Sequence, residues 1–124
     1  MAEVCKVILV GETGVGKTCI IVRFIKNQYL ENSPSTTGAN YASKTLEFIE
    51  YNRSLQYDIW DTAGQEKYRG LAKIFYKDAV IAILVYDITK RKTFEEIKKY
   101  WYEQLKDNGS VNMSKIILFK FKFL

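Results

Sequence analysis

The residues with the clearest chemical potential form one run, Gly11-Glu12-Thr13-Gly14-Val15-Gly16-Lys17-Thr18. Three glycines let a backbone fold tightly round an anion with its N–H groups turned inward. Lys17 adds a point charge, and the Thr18 hydroxyl is a hard oxygen ligand suited to Mg²⁺. The pattern G-x-x-x-x-G-K-[ST] asks for a polyphosphate, and Gly11 through Cys19 is the stretch expected to hold it. A second set follows in Trp60-Asp61-Thr62-Ala63-Gly64-Gln65-Glu66. An acidic Asp61 at a strand end beside the first loop would complete the Mg²⁺ site, usually through water. Gly64 can bring a bare N–H against a γ-phosphate, and Gln65 can orient an attacking water.

What is absent narrows the chemistry further. The chain has no histidine, so no Ser-His-Asp triad, Cys–His pair or His-ligated metal can be assembled from it. Its two cysteines, Cys5 and Cys19, fall in a strand pattern and a helix pattern, and we read them as reduced thiols of a cytosolic protein. The net charge of +5 comes from the second half of the chain. There Lys98, Lys99 and Lys106 alternate with Glu95, Glu96 and Glu103, the mark of a solvated helix face and not of a nucleic-acid surface.

These residues need elements to position them. At 124 residues and 48% hydrophobic, the chain is one ordinary globular domain, residues 1–124. The longest apolar run, Ala79 to Tyr86, suits a buried strand and is too short for a bilayer. The start, with Glu3 and Lys6, does not resemble a signal peptide. Strand CKVILV (5–10) leads into the glycine loop, and a helix opens at Gly16-Lys17-Thr18 with an apolar stripe of Cys19, Ile20, Phe24 and Ile25. The polar stretch 27–40 reads as a surface loop. A hairpin follows: KTLEFIE, a turn near Tyr51-Asn52-Arg53, then SLQYDIW. After DTAGQE come a short helix, the strand 79–86, a helix from about Thr93 to Lys106, and a strand from Lys115. The order β-α-ββ-α-β-α-β predicts an α/β doubly wound, mostly parallel sheet with one antiparallel edge strand. Its ligand is expected at the carboxyl ends of the strands, where the polar loops fall.

Taken together, GETGVGKT, Thr36-Thr37-Gly38, WDTAGQE and LVYDIT resemble the small GTPases of the Ras superfamily, and more narrowly the Rab branch. The resemblance runs from Lys6 to about Leu118. It implies a P-loop NTPase fold and a GTP/GDP-binding switch that hydrolyses GTP with Mg²⁺. Thr18, Thr36 and Asp61 would be the metal ligands, Gln65 the catalytic residue, and Gly64 a γ-phosphate contact. Tyr29 would lie over the guanine ring. Tyr41, Trp60 and Phe75 match the positions where Rab proteins present aromatics to effectors. An exchange factor, a GTPase-activating protein and effectors are the implied partners, in vesicle trafficking from the cytoplasmic side of endomembranes. A nucleotide kinase, the other P-loop enzyme weighed, has no place for WDTAGQE.

The resemblance weakens at the end. The family reads guanine with N-K-x-D. Aligned without gaps, IILFKFKFL puts Phe121, Lys122 and Leu124 at the Asn, Lys and Asp positions. An apolar residue for that Asp leaves the guanine N1 and 2-amino donors unpaired, about 1–3 kcal/mol per group. The expectation is a domain incomplete at its C-terminus, without a prenylated-cysteine anchor, and the alternative function is that of an interaction fragment with weak nucleotide binding.

Overall fold

In the computed structural model residues 3–12, 14–26, 40–61, 75–109 and 112–120 are described. β1 (Glu3–Val10) is the spine of the domain. Val7, Ile8, Leu9 and Val10 are all at most 5% exposed, a continuous apolar run because this strand is covered on both faces. Alternate side chains therefore feed separate cores. Ile8 and Val10 join Phe75, Tyr76, Leu84, Trp101 and Leu105. Val7 and Leu9 join Val15, Ile21, Ile59 and Val85.

β1 is flanked in parallel by β3 (Arg53–Asp61) and β4 (Ile81–Asp87). β5 (Ser114–Lys120) pairs in parallel with β4, and β2 (Asn40–Phe48) runs antiparallel to β3. The order is β2-β3-β1-β4-β5, the mixed sheet with one antiparallel edge strand that the sequence predicts. The carboxyl ends of β1, β3 and β4 share one side, because Leu9 pairs with Asp61 and Val10 with Leu84.

Element limits differ from expectation in instructive ways. β2 begins at Asn40, in text read as loop, because pairing of Asn40 with Asp61 extends the ladder. Ile49 and Glu50, read as strand, form a 3₁₀ turn with Tyr51. Asn52 then closes the hairpin in the left-handed region (φ 51°), its N–H donating to the Ile49 carbonyl at 3.1 Å. Asn tolerates that conformation better than most residues. On α1 (Lys17–Lys26) Ile21 is buried, at 7%, a residue that the stripe drawn from Cys19 and Ile20 passed over.

The last helical rod starts at Arg91 and not Thr93. α2 (Arg91–Glu96) passes into a π-helical turn (Ile97–Trp101) and then α3 (Tyr102–Asn108), with helical dihedrals at both junctions. The Tyr102 N–H donates to the Ile97 carbonyl, an i→i+5 bond. Ile97, Trp101 and Leu105 are buried, at 2%, 0% and 1%. A row spaced by four precesses about 40° per step round an α-helix. The wide turn between Ile97 and Trp101 takes up that drift and keeps the row on the core.

Candidate functional site

The glycine loop leaves β1 at Gly11, where β1 and β4 are packed too closely for any side chain. A Cβ at Gly11 would stand 2.3 Å from the Val85 carbonyl oxygen, and φ there is +147°. Gly14 and Gly16 also have positive φ, 86° and 100°. A Cβ at Gly14 would meet nothing within 4 Å, so that position lies at the open side of the loop. Val15, 3% exposed, plugs the loop into the second core. Its N–H donates to the Glu12 carbonyl at 3.4 Å.

Lys17 opens α1 and is only 5% exposed. Its ammonium donates to the Gly11 carbonyl at 2.7 Å and the Glu12 carbonyl at 3.1 Å. The charge is thus folded over the loop, held by neutral acceptors that a phosphate oxygen would outcompete. The N-terminus of α1 adds the positive end of its dipole at the same place. Beside it, the Thr18 hydroxyl donates to Asp61 Oδ2 at 2.6 Å. Asp61 ends β3 and is fully buried. A hydroxyl and a buried carboxylate, 43 positions apart in sequence, converge next to a lysine and a helix N-terminus. Two hard oxygens of this kind suit Mg²⁺, so the donor set fits the ion. Thr13, Tyr29, Thr36, Gly64 and Gln65 lie outside the described residues, as do Phe121, Lys122 and Leu124.

The third strand end carries a turn. Asp87 closes β4, and its Oδ1 accepts from the Thr89 N–H (2.9 Å) and hydroxyl (2.6 Å). The buried Thr93 hydroxyl donates to the Lys90 carbonyl at 2.7 Å and accepts from the Asp87 N–H at 2.9 Å. LVYDIT with Thr93 is thus a strand-to-helix connection that satisfies its own polar groups. Thr93 was not singled out in the sequence, because its partner atoms are backbone.

Away from the loop, Tyr41 and Trp60 face each other across β2 and β3, with ring centroids 4.8 Å apart. Tyr41 is 52% exposed. The Lys6 ammonium lies 5.4 Å from the centre of the Trp60 ring, and burial lowers its pKa. On the same strands Asp58 accepts from Gln56 and Ser43, at 2.9 and 3.0 Å. The Gln56 amide, more than the Tyr41 and Ser43 hydroxyls, holds its carboxyl below the usual range against the opposing effect of burial. Phe75 is differently placed. It is 7% exposed, sits in the first core and meets Tyr76 edge-on at 5.5 Å. Trp60 packs against that core, and of the three aromatics Tyr41 is the exposed one.

A parallel sheet whose first strand runs into a glycine loop, a buried lysine and a helix N-terminus, with an acid at the next strand end, defines a phosphate-loop nucleotide-binding domain. Comparison with known proteins narrows the class. The sequence model of the Ras family matches residues 6–122. The chain is 44% identical over 108 residues to Ras-related protein RABA2d of Arabidopsis thaliana, covering 87% of this chain and 48% of that protein. Ras-related protein Rab11C of Lotus japonicus is also 44% identical, with 87% and 49% covered. Ras-related protein RHN1 of Nicotiana plumbaginifolia gives 44% identity, with 87% and 52% covered. The chain belongs to the Ras family, in its Rab branch, and spans about half the length of the curated relatives it matches.

Proposed function

We propose that this chain is a guanine-nucleotide switch that binds GTP and GDP through Gly11–Cys19 and hydrolyses GTP slowly. The observation that carries the reading is the convergence of Lys17, Thr18 and Asp61 at the strand ends, through the Lys17–Gly11 and Thr18–Asp61 bonds. Thr18 and Asp61, joined by Thr36, would hold Mg²⁺, which when bound neutralises charge on the β and γ phosphates. Lys17 would exchange its carbonyl partners for phosphate oxygens, while the loop N–H groups and the α1 N-terminus fix the phosphates in place. Gly64 would contact the γ-phosphate, Gln65 would orient the attacking water, and Tyr29 would cover the base. Tyr41, Trp60 and Phe75 would form the face read by effectors, with exchange and activating proteins acting on the neighbouring loops. Membrane trafficking is the role that the Rab-named relatives support.

The test is metal removal. Labelled GDP bound to the 124-residue chain in Mg²⁺ is expected to dissociate when EDTA is added. Retention of nucleotide with the metal stripped would sink the assignment of Thr18 and Asp61.

A further inference from the structure

Glu12 is an awkward residue for its place. It is the second residue of a loop built to gather negative phosphates, yet it brings a carboxylate of its own. Like charges within a few ångströms repel strongly where water is scarce. The structure shows where that carboxylate goes. Oε1 accepts from the indole N–H of Trp101 at 3.3 Å, across 89 positions of sequence. Trp101 is fully buried in the first core, beside Ile8 and Val10 of the strand that enters the loop. It ends the π-helical turn, the feature that keeps it facing that core, and the Tyr100 ring abuts it edge-on at 4.8 Å. Meanwhile the Glu12 backbone stays in the loop, its carbonyl accepting from Lys17 and from Val15. One residue thus lends its carbonyl to the phosphate loop while its acid is drawn to the helical rod.

We propose that Trp101 is a positioning residue for the phosphate loop, its indole N–H holding the Glu12 carboxylate off the bound phosphates. The inference rests on the nucleotide-binding reading above. It assigns Trp101 no contact with nucleotide. Its effect passes through Glu12, so removing the indole donor is harmful only while position 12 is charged.

The experiment measures the dissociation rate of labelled GDP from the full 124-residue chain in Mg²⁺, for wild type, Trp101→Phe, Glu12→Gln and the double variant. Phe keeps a ring in the core and removes the donor, and Gln keeps an acceptor and removes the charge. Trp101→Phe is expected to release GDP roughly tenfold faster or more, the scale of a lost hydrogen bond to a charged group. Glu12→Gln is the reference for a loop without the extra charge, and the double variant is expected to release GDP within about threefold of the Glu12→Gln rate. A Trp101→Phe rate equal to wild type overturns the proposal, and so does a fast rate that Glu12→Gln leaves unrelieved, which would mean lost packing. A wild-type chain that is folded but binds no GDP removes the nucleotide reading and this inference with it.

If Trp101→Phe does not fold, the pair is read from its other side. In the ¹⁵N-labelled chain, one of the two tryptophan indole N–H protons is expected to move upfield in Glu12→Ala and to move less in Glu12→Gln. Indole resonances that ignore both substitutions overturn the proposal.

Discussion

Lys17, Thr18 and Asp61 are read from sequence because their types and local spacing are themselves the chemistry: a charge after glycines, a hydroxyl beside it, an acid closing an apolar strand. The Trp101–Glu12 contact has no such signal. Its partners are 89 positions apart, and each has an ordinary local reading, one as a core aromatic and the other as a loop acid. The 27–40 segment contains no arginine, so the proposed switch has no arginine there to stabilise transition-state charge in cis. Intrinsic GTP hydrolysis is then expected near ~10⁻⁴–10⁻³ s⁻¹, with a partner's arginine adding ~10³–10⁵. Gln65→Leu is expected to abolish that acceleration, measured as phosphate release with and without an activating protein. Full stimulation in the Leu variant would take the water-orienting role away from Gln65.

Among the described elements, type and order were legible and limits were not. The strand–loop–helix start announces itself by a dense apolar run, glycines, then a helical stripe. The hairpin tip misleads because Ile49 looks like a strand residue, yet it stands 88% exposed in a turn. The π-helical turn is hidden because hydrophobic spacing alone cannot distinguish a drifting α-helical row from one held by a wider turn. Gly11 supplies the sharpest test of how the elements are packed. Gly11→Ala places a Cβ against the Val85 carbonyl oxygen in a backbone region that alanine avoids. The expected cost is about 2–4 kcal/mol, the range of a strained or overpacked site. Thermal unfolding followed by circular dichroism is expected to show a midpoint lower by roughly 10 °C. An unchanged midpoint would mean β1 and β4 do not approach as closely as drawn.

Across the whole molecule, one sheet divides the labour. β1, β3 and β4 turn their carboxyl ends toward the glycine loop, and the β2–β3 edge carries the Tyr41–Trp60 pair one residue before Asp61. No helix among the described residues is long and apolar enough to cross a membrane. Phosphate contacts are indifferent to the base, and ungapped alignment of the sequence sets Leu124 at the guanine-reading Asp position. ITP and ATP are therefore expected to displace labelled guanine nucleotide within about tenfold of GTP, since no carboxylate there pairs the guanine donors. Guanine selectivity of a hundredfold or more would place base recognition on residues other than those matched here.

The central claim is that the loop from Gly11 to Thr18 binds nucleotide phosphates, and a calorimetric titration tests it most directly. GDP is added to the folded 124-residue chain in Mg²⁺, with circular dichroism confirming the fold in the same sample. Saturable binding of one GDP per chain, competed by GTP, is the predicted result. A folded chain that takes up neither nucleotide would contradict it.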